Sequence, residues 1–296
     1  MHLLRAGSSV LALGATLALA GAPLPAGSSD FTLPNEGEPL KVYTYKPPTY
    51  AGGPLLVVVH GSDRNAADHR DWSVHMAERF GALVVCPEFD AARFNDERYK
   101  RTLGVTLGGV LQPREKWTTN AIARLVAEVR AREGRPGLPY YMIGHSGGGQ
   151  FVSKMALFMP LDAQGFVACN PGSHPIPWRD AAFPYGLGGL PDEVAGDEAL
   201  RRYFAQPLTL FMGTGDVWQN TAEDGFDTSP GAMRQGPVRL ARAQNFFQTC
   251  RRMAAERGWE FRWRYVETSW IGHDAKLMFA AKEMEQALFG AGTTKP

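Results

Sequence analysis

From residue 40 onward the chain alternates short, unbroken apolar runs with longer stretches of helical periodicity. Leu55–Val59 (LLVVV) and Ala82–Cys86 (ALVVC) contain no interleaved polar residue, the pattern of strands buried on both faces. Val42–Tyr45, Tyr140–Ile143, Phe166–Cys169, Leu208–Met212 and Phe261–Val266 complete the predicted strands. Ile122, Leu125, Val126 and Val129 share one face of a helix predicted over Thr118–Glu133, with Thr118 or Thr119 as its N-cap. Leu240, Ala243, Phe247, Cys250 and Ala254 do the same over Val238–Arg257, which Gly258 ends. Further helices are predicted over Gln150–Met159 and Ala275–Leu288. Strands alternating with helices in this way predict an α/β protein, a mostly parallel sheet with helices on both faces.

Three stretches break the alternation: Glu88–Lys116, Pro171–Gln206 and Trp218–Gly236, all rich in Gly, Pro, Asp or Arg. Connections this long in a compact domain are functional loops or lids, so they are expected to surround the site and select its ligand. The amino-terminal end is a separate object. Arg5 precedes the uncharged apolar run Val10–Ala20, and Ala18-Leu19-Ala20 fits a small-residue cleavage site, with Ala20-Gly21-Ala22 as a second choice. The run is too short to span a bilayer comfortably. Residues 1–20 are therefore expected to be a signal peptide and residues 21–39 a linker. Residues 40–290 are expected to form one catalytic domain, secreted or periplasmic and without a membrane partner after cleavage.

Composition narrows this further. With 44% hydrophobic and 21% charged residues among 296, the chain can bury a sizeable core and is not of the disordered class. A formal net charge of +1 gives no sign of a polyanion-binding surface, so nucleic acid is not an expected partner. The odd count of cysteines, Cys86, Cys169 and Cys250, leaves at least one unpaired within the chain. No C-x-x-C spacing supports a metal site, and the three read as buried small hydrophobes. The arginines at 234, 239, 242, 251 and 252 read as a solvated helix face.

The sharpest chemical signal is Gly144-His145-Ser146-Gly147-Gly148. A G-x-S-x-G alone is weak, but here a predicted strand runs into it and a predicted helix runs out, the strand–turn–helix of a nucleophile elbow. Gly144 and Gly148 supply the space that a strained serine turn needs. Ser146 is thus the candidate nucleophile, and the Gly147 N–H at the helix start a candidate oxyanion donor.

A serine hydroxyl needs a base, and the base an orienting acid; in the fold built around such an elbow they follow in the chain order Ser, Asp or Glu, His. Of the two histidines beyond Ser146, His174 comes too early; His273 sits between the last strand and the last helix, where the base belongs. Asp216, in the turn Gly213-Thr214-Gly215-Asp216 after a buried strand, is the preferred acid, with Asp224 and Asp227 as rivals. The second oxyanion donor is expected from His60-Gly61-Ser62, Ser62 before Gly61. Since that donor is a backbone N–H, side-chain identity there should matter little, and His60 should hold the loop. No metal or organic cofactor is required by this chemistry.

These residues, together with Gln150-Phe151-Val152, Asn170-Pro171-Gly172, Arg234-Gln235-Gly236-Pro237 and Ile271-Gly272-His273-Asp274, resemble secreted esterases of the α/β-hydrolase superfamily. Within that superfamily the chain looks like poly(3-hydroxybutyrate) depolymerases and feruloyl or acetyl-xylan esterases, over Leu40 to about Gly290. The resemblance implies an α/β-hydrolase fold and triad roles for Ser146, Asp216 and His273. It also implies hydrolysis of a small-molecule or oligomeric ester through an acyl-enzyme. Trp218 and Trp270, flanking the acid and base loops, and His145 beside the nucleophile are candidate substrate contacts; core packing is the competing role for the tryptophans. A serine peptidase of the prolyl-oligopeptidase kind, or an inactive binding protein on the same fold, is the alternative.

Overall fold

The computed structural model describes residues 21–218 and 225–290. The expected signal segment and Asp224 lie outside the described residues. Ten strands are present among them: β1 (Gly27–Leu33), β2 (Leu40–Lys46), β3 (Leu55–Val59), β4 (Leu83–Pro87), β5 (Thr106–Leu107), β6 (Val110–Leu111), β7 (Tyr140–His145), β8 (Gly165–Cys169), β9 (Leu208–Gly213) and β10 (Arg264–Thr268). The helices are α1 (Ala66–Trp72), α2 (Val74–Phe80), α3 (Thr119–Arg132), α4 (Gly147–Phe158), α5 (Asp192–Ala195), α6 (Asp197–Phe204), α7 (Pro230–Gln235), α8 (Arg239–Glu256), α9 (Ala275–Ala280) and α10 (Met284–Phe289).

Eight strands form one sheet in the order β1-β2-β4-β3-β7-β8-β9-β10. β2 runs against both of its neighbours, and from β4 across to β10 every adjacent pair is parallel. The expected α/β-hydrolase architecture is the one observed. In β3, β4, β8 and β9 no residue reaches solvent, because helices cover both faces. Alternate side chains enter two cores. Leu55, Val57, Val59, Met142 and Leu210 pack with Ile122, Phe151, Tyr203 and Phe246 of α3, α4, α6 and α8. Leu56, Val58, Ile143 and Phe211 pack on the other face with Met76, Phe279 and Leu288 of α2, α9 and α10.

Several local expectations change. Part of the stretch read as a linker, Gly27–Leu33, forms the edge strand β1, paired residue for residue with β2 from Gly27–Lys46 to Leu33–Leu40. Its inner face is too small to show as an apolar run: only Leu33 is buried. Helices α1 and α2 carry sparse apolar stripes, with Ala66 and His69 the buried residues of α1. The predicted last helix is two, broken at Ala281, whose ψ of 143 leaves the helical region. Thr118 does not cap α3 with its side chain; its hydroxyl donates to the Arg98 carbonyl at 2.6 Å. The three cysteines are free and buried.

The supposed solvated arginine face also divides. Arg251 and Arg252 are exposed, whereas Arg239 and Arg242 are 3% and 0% exposed. Arg242 satisfies its guanidinium on the carbonyls of Gly236, Gly172 and Asp227. Helical periodicity cannot register such burial, because the covering loops come from distant parts of the chain.

Candidate active site

Each candidate side chain leaves the carboxyl end of a parallel strand. Ser146 follows β7, and its φ of 55 and ψ of −116 place it in a strained conformation that costs on the order of 1–3 kcal/mol. Close packing enforces it. A methyl group on Gly148 would stand 2.1 Å from the Val59 carbonyl oxygen, and one on Gly144 would stand 2.2 Å from that of Gly148. The Ser146 N–H donates to the Cys169 carbonyl at 3.0 Å, and α4 begins at the next residue.

Ser146, His273 and Asp216 form one hydrogen-bonded line. His273 Nε2 lies 2.9 Å from Ser146 Oγ, and Nδ1 lies 2.8 Å from Asp216 Oδ2. With the carboxylate fixing the proton on Nδ1, Nε2 faces the hydroxyl as an acceptor. Asp216 is 2% exposed, and its other oxygen accepts from Arg239 Nη1 at 3.2 Å. The rival Asp227 instead accepts from Tyr185 and from the Ser229 N–H.

The loops carrying acid and base are tied together. The Thr214 N–H donates to Thr268, the Gly215 N–H to Ile271, and the Trp270 N–H to the Thr214 hydroxyl. Asn170, just past β8, bridges both. Its Nδ2 donates to the Gly272 carbonyl at 3.0 Å, and its Oδ1 accepts from the Gly213 N–H at 2.8 Å.

Gly61 and Ser62 lie against the nucleophile. A methyl on Gly61 would stand 3.8 Å from Ser146 Cβ; one on Gly147 would stand 3.3 Å from the Ser62 backbone nitrogen and 3.1 Å from Ser62 Oγ. His60 holds this loop from within. Its Nε2 accepts from the Phe89 N–H at 3.0 Å, its Nδ1 lies 2.9 Å from the Gly61 carbonyl, and its own carbonyl accepts from Tyr99 at 2.5 Å. Burial pushes its pKa down to about 3, so it stays neutral.

Tyr99 belongs to a π-helical turn, Glu97–Arg101, inside the first long loop. Lys100, next along, donates to Ser62 Oγ at 3.0 Å, and Arg101 to the Tyr185 hydroxyl at 2.7 Å. Beneath the turn, Lys154 of α4 donates to the Lys100 carbonyl at 3.0 Å, its pKa brought down to about 7 by burial. A cavity of about 230 Å³ opens on Ser146, and all three long loops reach it: Lys100 from the first, Ser173 and Tyr185 from the second, Asp227 from the third. A second cavity of about 560 Å³ lies on the His273 side.

The candidate substrate contacts separate. Trp270 is 91% and Trp218 76% exposed, both near the acid–base loops. His145 is buried, its ring centroid 4.6 Å from that of His273, and burial followed by that neighbour holds its pKa well below the ordinary histidine range. It backs the base and offers little surface to a ligand. Trp263 is core, its indole N–H bonded to the Tyr203 carbonyl.

Arg239, Lys100 and Lys154 cannot be recognised in the sequence, where a charged residue on a helix or loop reads as solvated. Asn170 carries a faint signal, being polar at the end of a buried strand.

The arrangement can deprotonate a hydroxyl and receive an oxyanion, the requirements of acyl transfer. A model of the "Alpha/beta hydrolase family" matches residues 56–292. Among solved structures, the chain is similar to the poly(3-hydroxybutyrate) depolymerase LpqC from Bordetella parapertussis. The two share 34% identity at a TM-score of 0.78, over 86% of this chain and 88% of that one. It is likewise similar to poly(aspartic acid) hydrolase-1 from Sphingomonas sp. KT-1, with 31% identity, a TM-score of 0.79, and coverage of 86% and 96%. An esterase from Pyrobaculum calidifontis, at 16% identity and a TM-score of 0.51, covering 90% of this chain and 84% of its own, shares the fold alone. No curated protein matches by sequence. With the fold, the strained serine turn and the family match agreeing over the same residues, the chain belongs to the alpha/beta hydrolase family.

Proposed function

We propose that the protein is an exported serine esterase that cleaves carboxylic esters through an acyl-enzyme, in the manner of poly(3-hydroxybutyrate) depolymerases. The observation that carries this reading is the unbroken line Ser146 Oγ–His273–Asp216, at 2.9 and 2.8 Å, with the serine held at positive φ. His273 Nε2 takes the Ser146 proton as Oγ bonds to the acyl carbon, and the carbonyl π electrons move to oxygen. The oxyanion accepts hydrogen bonds from the backbone N–H groups of Gly147 and Ser62. Collapse breaks the bond to the alcohol, which leaves with the proton from His273. Water then attacks the acyl-enzyme, giving its proton to the same imidazole, and the acid departs as Ser146 is reprotonated.

The similarity to LpqC, named a poly(3-hydroxybutyrate) depolymerase, supports an ester substrate; Trp218 and Trp270 line neither cavity at Ser146, but their exposed rings beside the acid and base loops offer apolar surface to an oligomer that extends beyond them. A second reading takes its support from Lys100 and Arg101 in the cavity beside Ser146 and from the likeness to a poly(aspartic acid) hydrolase: the scissile bond is an amide in an acidic oligomer. Export rests on the apolar run at 10–20, and the mass of the mature amino terminus tests it.

The deciding experiment compares p-nitrophenyl esters, feruloyl esters, hydroxybutyrate oligomers and aspartate oligomers on the wild type and Ser146→Ala. Turnover of esters by the wild type alone is expected. Equal rates for the two proteins end the serine mechanism, and turnover of aspartate oligomers alone favours the second reading.

A further inference from the structure

On sequence grounds the backbone of Ser62 serves the oxyanion and its side chain is irrelevant. The structure points elsewhere. Ser62 Oγ sits 3.1 Å from the position a methyl on Gly147 would take, on the wall of the cavity that holds Ser146. It lies on the same side of Gly147 as its own backbone nitrogen, at 3.3 Å from that point. Lys100 Nζ donates to it at 3.0 Å, and the lysine stem packs beside Gly147, with Cδ 3.3 Å from the same point. A hydroxyl whose lone pair is taken by an ammonium must aim its proton elsewhere. Ser62 is exposed and lines the cavity with Ser146 and Gly147, and among the described residues its hydroxyl donates to no protein acceptor, so its proton is free to turn to a group bound there.

We propose that the Ser62 hydroxyl is a third oxyanion donor, polarised by Lys100. The inference rests on the serine-hydrolase reading above. During attack the negative charge on the former carbonyl oxygen accepts the Ser62 O–H in addition to two backbone N–H groups. A hydrogen bond from a cation into that hydroxyl strengthens its donation. No covalent bond to Ser62 forms, and its proton stays on Oγ.

The surroundings fit this assignment. Lys100 is held on both sides, its ammonium 3.2 Å from Asp96 and its carbonyl bonded to Lys154 of the nucleophile helix. The neighbouring Tyr99 fixes the His60 carbonyl, two residues before Ser62. One π-helical turn therefore sets both the backbone of the oxyanion loop and the charge behind its side chain. Lys100 therefore packs on the Gly147 turn and reaches Ser62 as well as Asp96, more than a surface counter-ion to Asp96 requires.

The test uses Ser62→Ala, Ser62→Thr, Lys100→Met, Lys100→Arg and the double variant Ser62→Ala with Lys100→Met. Each is assayed on p-nitrophenyl butyrate and for inhibition by an alkyl boronic acid that forms a tetrahedral adduct on a serine. Ser62→Ala should lower kcat about tenfold or more, within the range of losing one oxyanion donor, with KM little changed. Its boronate affinity should fall by a similar factor, Ser62→Thr should keep most activity, and Lys100→Arg should retain more than Lys100→Met. Adding Lys100→Met to Ser62→Ala should cost little more, because the lysine acts through the hydroxyl. Wild-type kcat in Ser62→Ala, a change confined to KM, or losses that multiply in the double variant would each overturn the proposal. Thermal melts of each variant separate lost donation from lost folding. Hydrolysis by Ser146→Ala would instead refute the underlying mechanism, a result the Ser62 series cannot mimic.

Discussion

The Arg239 guanidinium donates to Asp216 Oδ1 at 3.2 Å, and both side chains are shut away from water. Asp216 thus carries its charge between two donors, the imidazole of His273 and a buried arginine on α8.

Truncating that arginine should cost more than removing a surface ion pair. Arg239→Ala leaves a buried carboxylate with one partner fewer, and loss of one member of a buried pair costs about 3–5 kcal/mol. Urea unfolding should show a destabilisation of that order, with kcat reduced because Asp216 is freed to turn. Arg239→Lys should recover part of both. An Arg239→Ala enzyme as stable and active as the wild type would mean the pair contributes nothing.

Steric demand around the elbow differs sharply between glycines. A methyl on Gly148 meets the Val59 and His60 carbonyl oxygens at 2.1 and 2.5 Å, whereas one on Gly61 meets nothing nearer than 3.8 Å. Gly148→Ala should therefore lose activity and several kcal/mol of stability, about the cost of overpacking. Gly61→Ala should fold with a melting temperature close to wild type. Equal melting temperatures for the two variants would contradict the packing described.

Acid should destabilise the fold well above the carboxylate range. Burial, the first cause in each case, holds His60 down to about 3, His69 to about 4, and His145 and His174 well below their usual value. Below about pH 6.5 the unfolded chain binds protons at these sites while the folded one does not. Stability present above about pH 6.5 is then lost as pH falls toward about 4, by about 1.4 kcal/mol per pH unit for each histidine. Neither His174 ring nitrogen has a partner among the described residues, and its ring stacks on Phe246 at 4.6 Å. His174→Phe should accordingly flatten the slope by about one proton. Urea midpoints at about pH 5 and about pH 7.5 that coincide would count against this.

The exposed tryptophans should matter to substrate and not to folding. Trp270→Ala and Trp218→Ala are expected to leave the melting temperature within about 2 °C, since surface changes fall within about 0.5 kcal/mol. KM for hydroxybutyrate oligomers should rise severalfold, with p-nitrophenyl acetate unaffected. Loss on both substrates alike would show that Trp270 instead supports the His273 loop.

Much of this protein can be read before folding. The unbroken runs LLVVV and ALVVC mark central strands, and the glycines around Ser146 mark the elbow, because local periodicity and local backbone demand are written in neighbouring residues. The order Ser146, Asp216, His273 is legible for the same reason: each follows its own strand. Burial of charge is not. Arg239 and Lys154 sit on helices at positions no different in sequence from solvated ones, and Lys100 lies in a loop without periodicity. Strand β1 leaves no trace because one buried residue makes no pattern. Whether a charge meets water or a partner depends on segments far away in the chain, and only packing those segments together decided that Arg239 reaches Asp216 and that Lys100 stands behind Ser62.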